Sequence, residues 1–313
     1  MPPRTYVRSA AATRARFLRQ KVVPWLFIAP ILLVHFIVVI VPSVQSFYYS
    51  MTDWSGIGAA EWVGFENFQQ MIFDDSSYRS ALFNNVKWLL VFLTVPFAMA
   101  LVAAQLLAPV RKGAMWFRTL LFIPYVLPSV INANIWRNLM SPRLGLGAQV
   151  AQWGENTLGT DQLAVFGTAF LGKTETALMS IAFVDNWHFW GFLMVLFLTA
   201  MQGISQDLYD AAKIDGANRL NEFIHVTIPG ILPTLAFMMM LVAIWSFLVF
   251  DYVWILTQGG PANSSEVLGS YLYKQVFNRF EAGYASAIGL SMSMFAGIII
   301  GIFALLRRRG WEI

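Results

Sequence analysis

The strongest pattern along the chain is the spacing between charges. No Asp, Glu, Lys or Arg occurs in 22–52, 88–110, 119–136, 186–206, 223–250 or 282–306. A helix rises 1.5 Å per residue, so about 20 apolar residues cross the hydrocarbon core of a bilayer. Trimmed by hydropathy, the stretches predict six spans near 24–50, 84–108, 117–138, 177–202, 231–257 and 283–306. Pro96, Pro124 and Pro128 fall inside spans, where they are expected to kink helices or line a gap. Gly297 and Gly301 form a G-x-x-x-G, which in a lipid-facing helix points to close packing. The expected fold is an all-α polytopic membrane protein: a basic tail over 1–23, a transmembrane domain over 24–306 and a short tail over 307–313.

Composition agrees with the pattern. Apolar residues make up 58% and charged residues 12%, about half the charged share of a soluble domain, which rules out a freely soluble enzyme. There is no Cys, so disulfides, thiolate metal sites and Cys nucleophiles are excluded together. The net charge of +4 matters for its placement. Fourteen of the 21 basic residues fall on one side of the predicted topology. They are Arg4, Arg8, Arg14, Arg16, Arg19 and Lys21, then Arg111, Lys112 and Arg118, then Lys213 and Arg219, and lastly Arg307, Arg308 and Arg309. The positive-inside bias therefore predicts that both termini are cytoplasmic. The Arg-rich start resembles the head of a signal peptide, but the following apolar run is about twice the usual length and no A-x-A-like site follows it.

Residues 167–174, Gly-Thr-Ala-Phe-Leu-Gly-Lys-Thr, fit the phosphate-loop pattern G-x-x-x-x-G-K-[ST] letter for letter. Leu163–Phe166 before them reads as a short strand. Such a loop needs a parallel sheet and flanking helices, and fewer than 40 residues separate the third and fourth spans. The charge bias also puts this loop outside, and Phe170 and Leu171 are bulky where backbone must approach phosphate. The match is read as chance, and no catalytic or metal-ligating set is assigned. The three His residues, His35, His188 and His225, are scattered over three regions.

The connection from Ser205 to Pro229 carries most information. Ser205 suits an N-cap and Asp207 the positive end of the helix dipole. Leu208, Ala211 and Ala212 make a narrow apolar stripe at i, i+3 and i+4, and Gly216 suits a left-handed helix end. A second helix over Ala217–His225 is expected, with Pro229 opening the next span. The pattern reads either as a rigid helix–turn–helix with a face for another protein's groove or as an amphipathic surface loop.

Asp210-Ala211-Ala212, Gly216 and Val226-Thr227-Ile228-Pro229 resemble the EAA loop of the membrane subunits of binding-protein-dependent ABC importers, with Asp in place of Glu. Phe250–Pro261 is similar to the F-D-x-h-a-x-L-T-x-G-G-P stretch of sugar-import permeases. Gly283-Tyr284-Ala285-Ser286-Ala287 and Gly64-Phe65-Glu66-Asn67-Phe68 match two further family stretches. The resemblance is to the carbohydrate-uptake class related to maltose and glycerol-3-phosphate permeases. It implies a bacterial or archaeal inner-membrane protein working with a second homologous permease, two ATPase subunits and an extracytoplasmic solute-binding protein. ATP and Mg would be held by the ATPases, with no cofactor on this chain. Asp210, Ala211, Ala212, Asp215 and Gly216 would couple to the ATPase, and the cargo would be a sugar moved by alternating access.

Ionisable residues inside spans usually face a cavity or a partner. Asp185 and His188 share a face of the fourth span, with Trp187 beside them, and Asp251 lies in the fifth. Carboxylates accept hydrogen bonds from sugar hydroxyls, and Trp187, Tyr252 and Trp254 have faces for sugar rings. These six are candidate substrate-path residues, against a structural reading of interhelical bonds and interfacial aromatics. A membrane-embedded enzyme lacks a convergent catalytic set. A self-contained channel or secondary carrier is opposed only by the 205–229 segment and the family stretches.

Overall fold

The computed structural model describes residues 20–21, 23–110 and 112–308. Most of the tails 1–23 and 307–313, with Arg4, Arg8, Arg14, Arg16, Arg19, Arg111 and Arg309, lies outside the described residues. Four helices are individually long and apolar enough to cross a bilayer: α1 (Val23–Tyr49), α2 (Ser76–Leu107), α6 (Ala177–Met201) and α12 (Ala282–Arg308). Two further helix pairs reach that length and apolarity only when each bent pair is taken together. These are α3 (Ala114–Val126) with α4 (Ser129–Leu139), bent by 95°, and α8 (Arg219–Gly230) with α9 (Leu232–Leu248), bent by 71°.

Three helix boundaries differ from the sequence expectation by more than fraying. The second span starts at Ser76 rather than 84, because Asp75 caps it: its carboxylate accepts the N–H groups of Ser77 at 2.8 Å and Tyr78 at 3.0 Å. Hydropathy trimming discards those polar first turns. The third span is broken outright at Leu127-Pro128, where Leu127 is extended (ψ 132°) as the residue before a proline tends to be. Pro96 and Pro124, by contrast, stay inside their helices. The fifth span ends at Leu248, and Asp251–Leu256 forms a separate short helix, α10. No proline marks that break; α11 (Leu268–Phe277) presses on it. A Cβ on Gly269 would stand 2.7 Å from the Val249 carbonyl oxygen, so only glycine permits the approach.

The core forms where α6 packs against α2 and α3, and where α9 packs against α2 and α12. Ile181, Leu193, Met194 and Phe197 on α6 are fully buried against Trp88, Phe97 and Ala100 of α2. A second cluster joins Tyr78, Ala81, Phe247, Leu268, Tyr271 and Ile288. No residue of α1 is buried, although its last turns touch α12. Gly297 and Gly301 also have no atom of another element within 4 Å of a would-be Cβ among the described residues. The close packing expected at that G-x-x-x-G is therefore not made among the described residues.

The end of the bundle that carries Asp75 is held by polar contacts. Asp75 accepts hydroxyl bonds from Tyr271 and Tyr284, each at 2.5 Å. Burial pushes its carboxyl up, but bonds from the two phenols and from the Tyr78 and Ser77 amides outweigh this and hold it below its ordinary value. Glu266, almost fully buried, pairs with Lys274 and takes a 2.6 Å bond from Ser270. The Gly64–Phe68 stretch works here as structure: Asn67 donates to the carbonyls of Ser50 and Thr52 at 2.9 Å each. At Gly283 a Cβ would stand 2.0 Å from the Thr52 carbonyl oxygen, so this glycine lets α12 begin against strand β1 (Thr52–Asp53).

Between α4 and α6 the chain forms α5 (Leu146–Trp153) and two 3-10 stretches, Asp161–Gly167 and Phe170–Gly172. Leu163–Phe166 is thus helical rather than a strand. The sheet among the described residues is one antiparallel pair, β1 with β2 (Glu61–Trp62). A phosphate loop has no parallel sheet to stand on at 167–174.

Candidate functional site

Two places in the fold gather the residues singled out by sequence. The first is a cavity of about 330 Å³ where the end of α3 and the break between α9 and α10 meet α6, a size typical of small-molecule sites. Asp185 and His188, one turn apart on α6, face it together with Asp251 and Tyr252 at the start of α10. Two pairs of residues chosen from separate stretches therefore converge.

His188, Asp251 and Tyr252 are each fixed by a neighbour that pattern reading did not select. Ser129, the first residue of α4 beyond the Pro128 break, donates to Asp251 Oδ2 at 3.0 Å. Asn132, one turn further on, is fully buried and donates to the Tyr252 hydroxyl at 2.9 Å. His188 Nε2 lies 3.1 Å from the Leu127 carbonyl oxygen. A carbonyl only accepts, so this nitrogen carries the hydrogen and a neutral ring keeps its Nδ1 lone pair free. The broken third span thus supplies three anchors: Leu127, Ser129 and Asn132.

The apolar wall comes from other spans. Trp88 and Phe92 of α2 stack at 5.1 Å between ring centroids. Phe189 meets Trp245 of α9 edge-on at 6.0 Å, and Tyr125 of α3 lies 5.3 Å from the His188 ring. Carboxylates beside flat aromatic faces can accept hydroxyl hydrogens while covering the C–H face of a polyol ring. Tyr125, Ser129 and Asn132 carried no local sequence signal beyond proximity to Pro128, and Trp245 carried none, because only tertiary packing brings them here.

Two candidates stand apart. Trp187 points to α4 and meets Trp136 edge-on at 5.5 Å. Trp254 stacks on Phe250 at 5.7 Å and lies 4.4 Å from Tyr273. Both are away from the cavity lining, because their positions on α6 and α10 face neighbouring helices.

The second place is the connection between α6 and α9. The helix α7 (Gln206–Ile214) starts at Ser205, whose hydroxyl accepts the Asp207 N–H at 3.3 Å. It ends at Gly216, with φ +78°, where the Ala217 N–H returns to the Ala212 carbonyl at 2.9 Å. That left-handed end is natural to glycine. The next helix begins two residues later than expected, at Arg219, because Asn218 caps it by accepting the Asn221 N–H at 2.9 Å. It also runs on to Gly230, so Pro229 lies inside it and Pro233 opens α9 instead. The Tyr209 hydroxyl meets Thr227 Oγ1 at 3.0 Å and locks the two helices into one unit.

Asp210, Ala211, Asp215 and Gly216 are exposed on this unit and Ala212 is half-buried. Lys213 lies 3.1 Å from the Asp210 carboxylate and, with Gln206, holds its pKa below the ordinary value. Leu208, Ile214 and Leu220 are 55%, 86% and 64% exposed, so the unit presents three large apolar side chains at its surface.

The family model described as binding-protein-dependent transport system inner membrane component matches residues 96–310. The diacetylchitobiose uptake system permease protein NgcF of Streptomyces coelicolor is 33% identical over 294 residues, covering 90% of this chain and 81% of that protein. A chain of a bacterial alginate ABC transporter, solved in complex with an alginate pentasaccharide-bound periplasmic protein, superposes with a TM-score of 0.79. It is 21% identical, over 94% of this chain and 96% of that one. A second structure, of a bacterial ABC transporter importing the acidic polysaccharide alginate, superposes equally well at 0.79, with 95% and 99% covered.

Proposed function

Because the chain belongs to the family of binding-protein-dependent transport system inner membrane components, a multi-pass transport component and not itself an enzyme, we propose that it is one permease subunit of an ATP-driven sugar importer. Its six spans are the four long helices and the two bent pairs. Both termini and the Ser205–Gly230 unit face the cytoplasm, which the Lys/Arg bias supports. A second, similar permease completes the pathway, two ATPase subunits holding ATP and Mg dock beneath it, and a solute-binding protein delivers sugar from outside.

The observation that carries this reading is a covalent one. The unit α7–α8 is locked by Gly216 and by the Tyr209–Thr227 bond, and it joins the cavity-bearing helix α6 directly to α9. Movement imposed on its exposed face by a partner must pass into both cavity walls. Asp210 and the small Ala211 and Ala212 form the contact, with Asp215 and Gly216 shaping the turn. ATP-driven closure of the ATPases pushes the unit as a rigid body, and the spans rock between inward- and outward-facing states. Sugar passes Asp185, His188, Asp251 and Tyr252; Trp187 and Trp254 brace the helices that carry them.

Energised membranes containing the whole assembly test the proposal. Uptake of labelled saccharide is expected to stop when ATP is depleted, and the chain is expected to co-purify with an ATPase. Uptake that survives ATP depletion, by the chain alone, would identify a channel or secondary carrier instead.

A further inference from the structure

The cavity presents acidic groups with no Lys or Arg facing them among the described residues. Asp185 and Asp251 face it, from α6 and α10, and among the described residues no Lys or Arg lines it. Its one basic ring, His188, commits Nε2 to the Leu127 carbonyl. The rest of the wall is largely aromatic, with Trp88, Tyr125 and Trp245 prominent. Sites that take up a carboxylate typically present a guanidinium or ammonium to it. This one offers acceptors and apolar faces.

We propose that the cavity sorts sugars by charge, admitting neutral and amine-bearing saccharides and rejecting uronates. The inference rests on the reading of this cavity as the saccharide path. Hydroxyls and ammonium groups donate to the Asp185 and Asp251 carboxylates, while ring C–H faces lie on the aromatics. A uronate carboxylate brought to about 6 Å from a fixed negative charge, at an effective dielectric near 20, is disfavoured roughly a hundredfold before screening. It also loses its water without finding a cation. The filter is built into the membrane pathway, so it acts on whatever a solute-binding protein delivers.

The test measures equilibrium binding of three labelled disaccharides to the whole permease–ATPase assembly in lipid nanodiscs. Solute-binding protein is left out, so that its own selectivity does not enter. The probes are diacetylchitobiose (neutral), chitobiose (two free amines) and a mannuronate disaccharide (anionic). The uronate is expected to bind at least about tenfold more weakly than the neutral sugar, and the amine-bearing sugar at least as tightly as the neutral one. In the Asp185→Asn, Asp251→Asn double variant the spread should shrink to about threefold or less; Asp251→Asn alone serves if the double variant fails to fold. A uronate that binds the unaltered assembly as tightly as the neutral disaccharide overturns the charge rule and leaves the saccharide path standing. Failure of all three to bind overturns the path itself, and the charge rule with it.

Discussion

Replacing Gly191 with Ala is expected to lower the stability of the folded protein by about 1–3 kcal/mol, the usual range for overpacking. Gly191 lies on α6 at its crossing with α3. An added Cβ would stand 2.0 Å from the Leu121 carbonyl oxygen and 2.9 Å from its carbonyl carbon. Both atoms are backbone, so no side chain can rotate away, and the two helices must separate. That separation would also loosen α3, whose end holds the Leu127 carbonyl against His188. Thermal unfolding of the purified chain in detergent should show a midpoint several degrees lower. Gly297→Ala serves as the control, because among the described residues no other element comes within 4 Å of that position. It should leave the midpoint unchanged or slightly raised, since Ala is the better helix former. An unchanged midpoint for Gly191→Ala would mean that α3 and α6 are not this close.

The second large effect is expected in transport rather than in stability. Gly216 has φ +78° and open space around it, so a substitution there meets backbone strain without a steric clash. Ala in the left-handed region costs about 1–2 kcal/mol, which favours a different angle between α7 and α8 by roughly five- to thirtyfold. Gly216→Ala should therefore reduce uptake about tenfold while expression and ATP hydrolysis by the assembly persist. Gly216→Asn should retain most uptake, because Asn tolerates this conformation better. Equal uptake by the Ala variant and the unaltered protein would remove Gly216 from the coupling step.

The sequence was most legible where one physical demand dominates. Apolar runs located α1, α6 and α12 to within a few residues, even with Asp185 inside α6, because a long and nearly charge-free helix has few alternatives in water or lipid. The Ser205 cap and the Gly216 turn were legible because capping is local chemistry. The breaks were harder. Pro128 announced a kink but not a 95° bend, and the break after Leu248 has no breaker residue, since Gly269 of a distant helix permits it. Pro229 misled for a related reason: a proline suits a first turn, yet α8 continues through it and Pro233 takes that role.

The cavity was half legible. Asp185, His188, Asp251 and Tyr252 stood out because polar groups within spans need a reason to be there. Trp187 and Trp254 were equally conspicuous by type, but helix rotation turns them into packing residues. Ser129 and Asn132 were silent, because their roles exist only once the third span folds back over α10. Asp75 was silent too, reading as one more loop carboxylate although it caps α2 and gathers two tyrosines.

The Asp210 face of the α7–α8 unit is expected to receive its motion from an ATP-hydrolysing neighbour. The chain contains no Cys, so Asp210→Cys places a single thiol at the contact. A maleimide-linked photocrosslinker attached there in the intact assembly is expected to form its main protein adduct with the ATPase subunit. An adduct formed only with an extracytoplasmic protein, or the absence of any ATPase adduct from an assembly that still transports, would contradict the account.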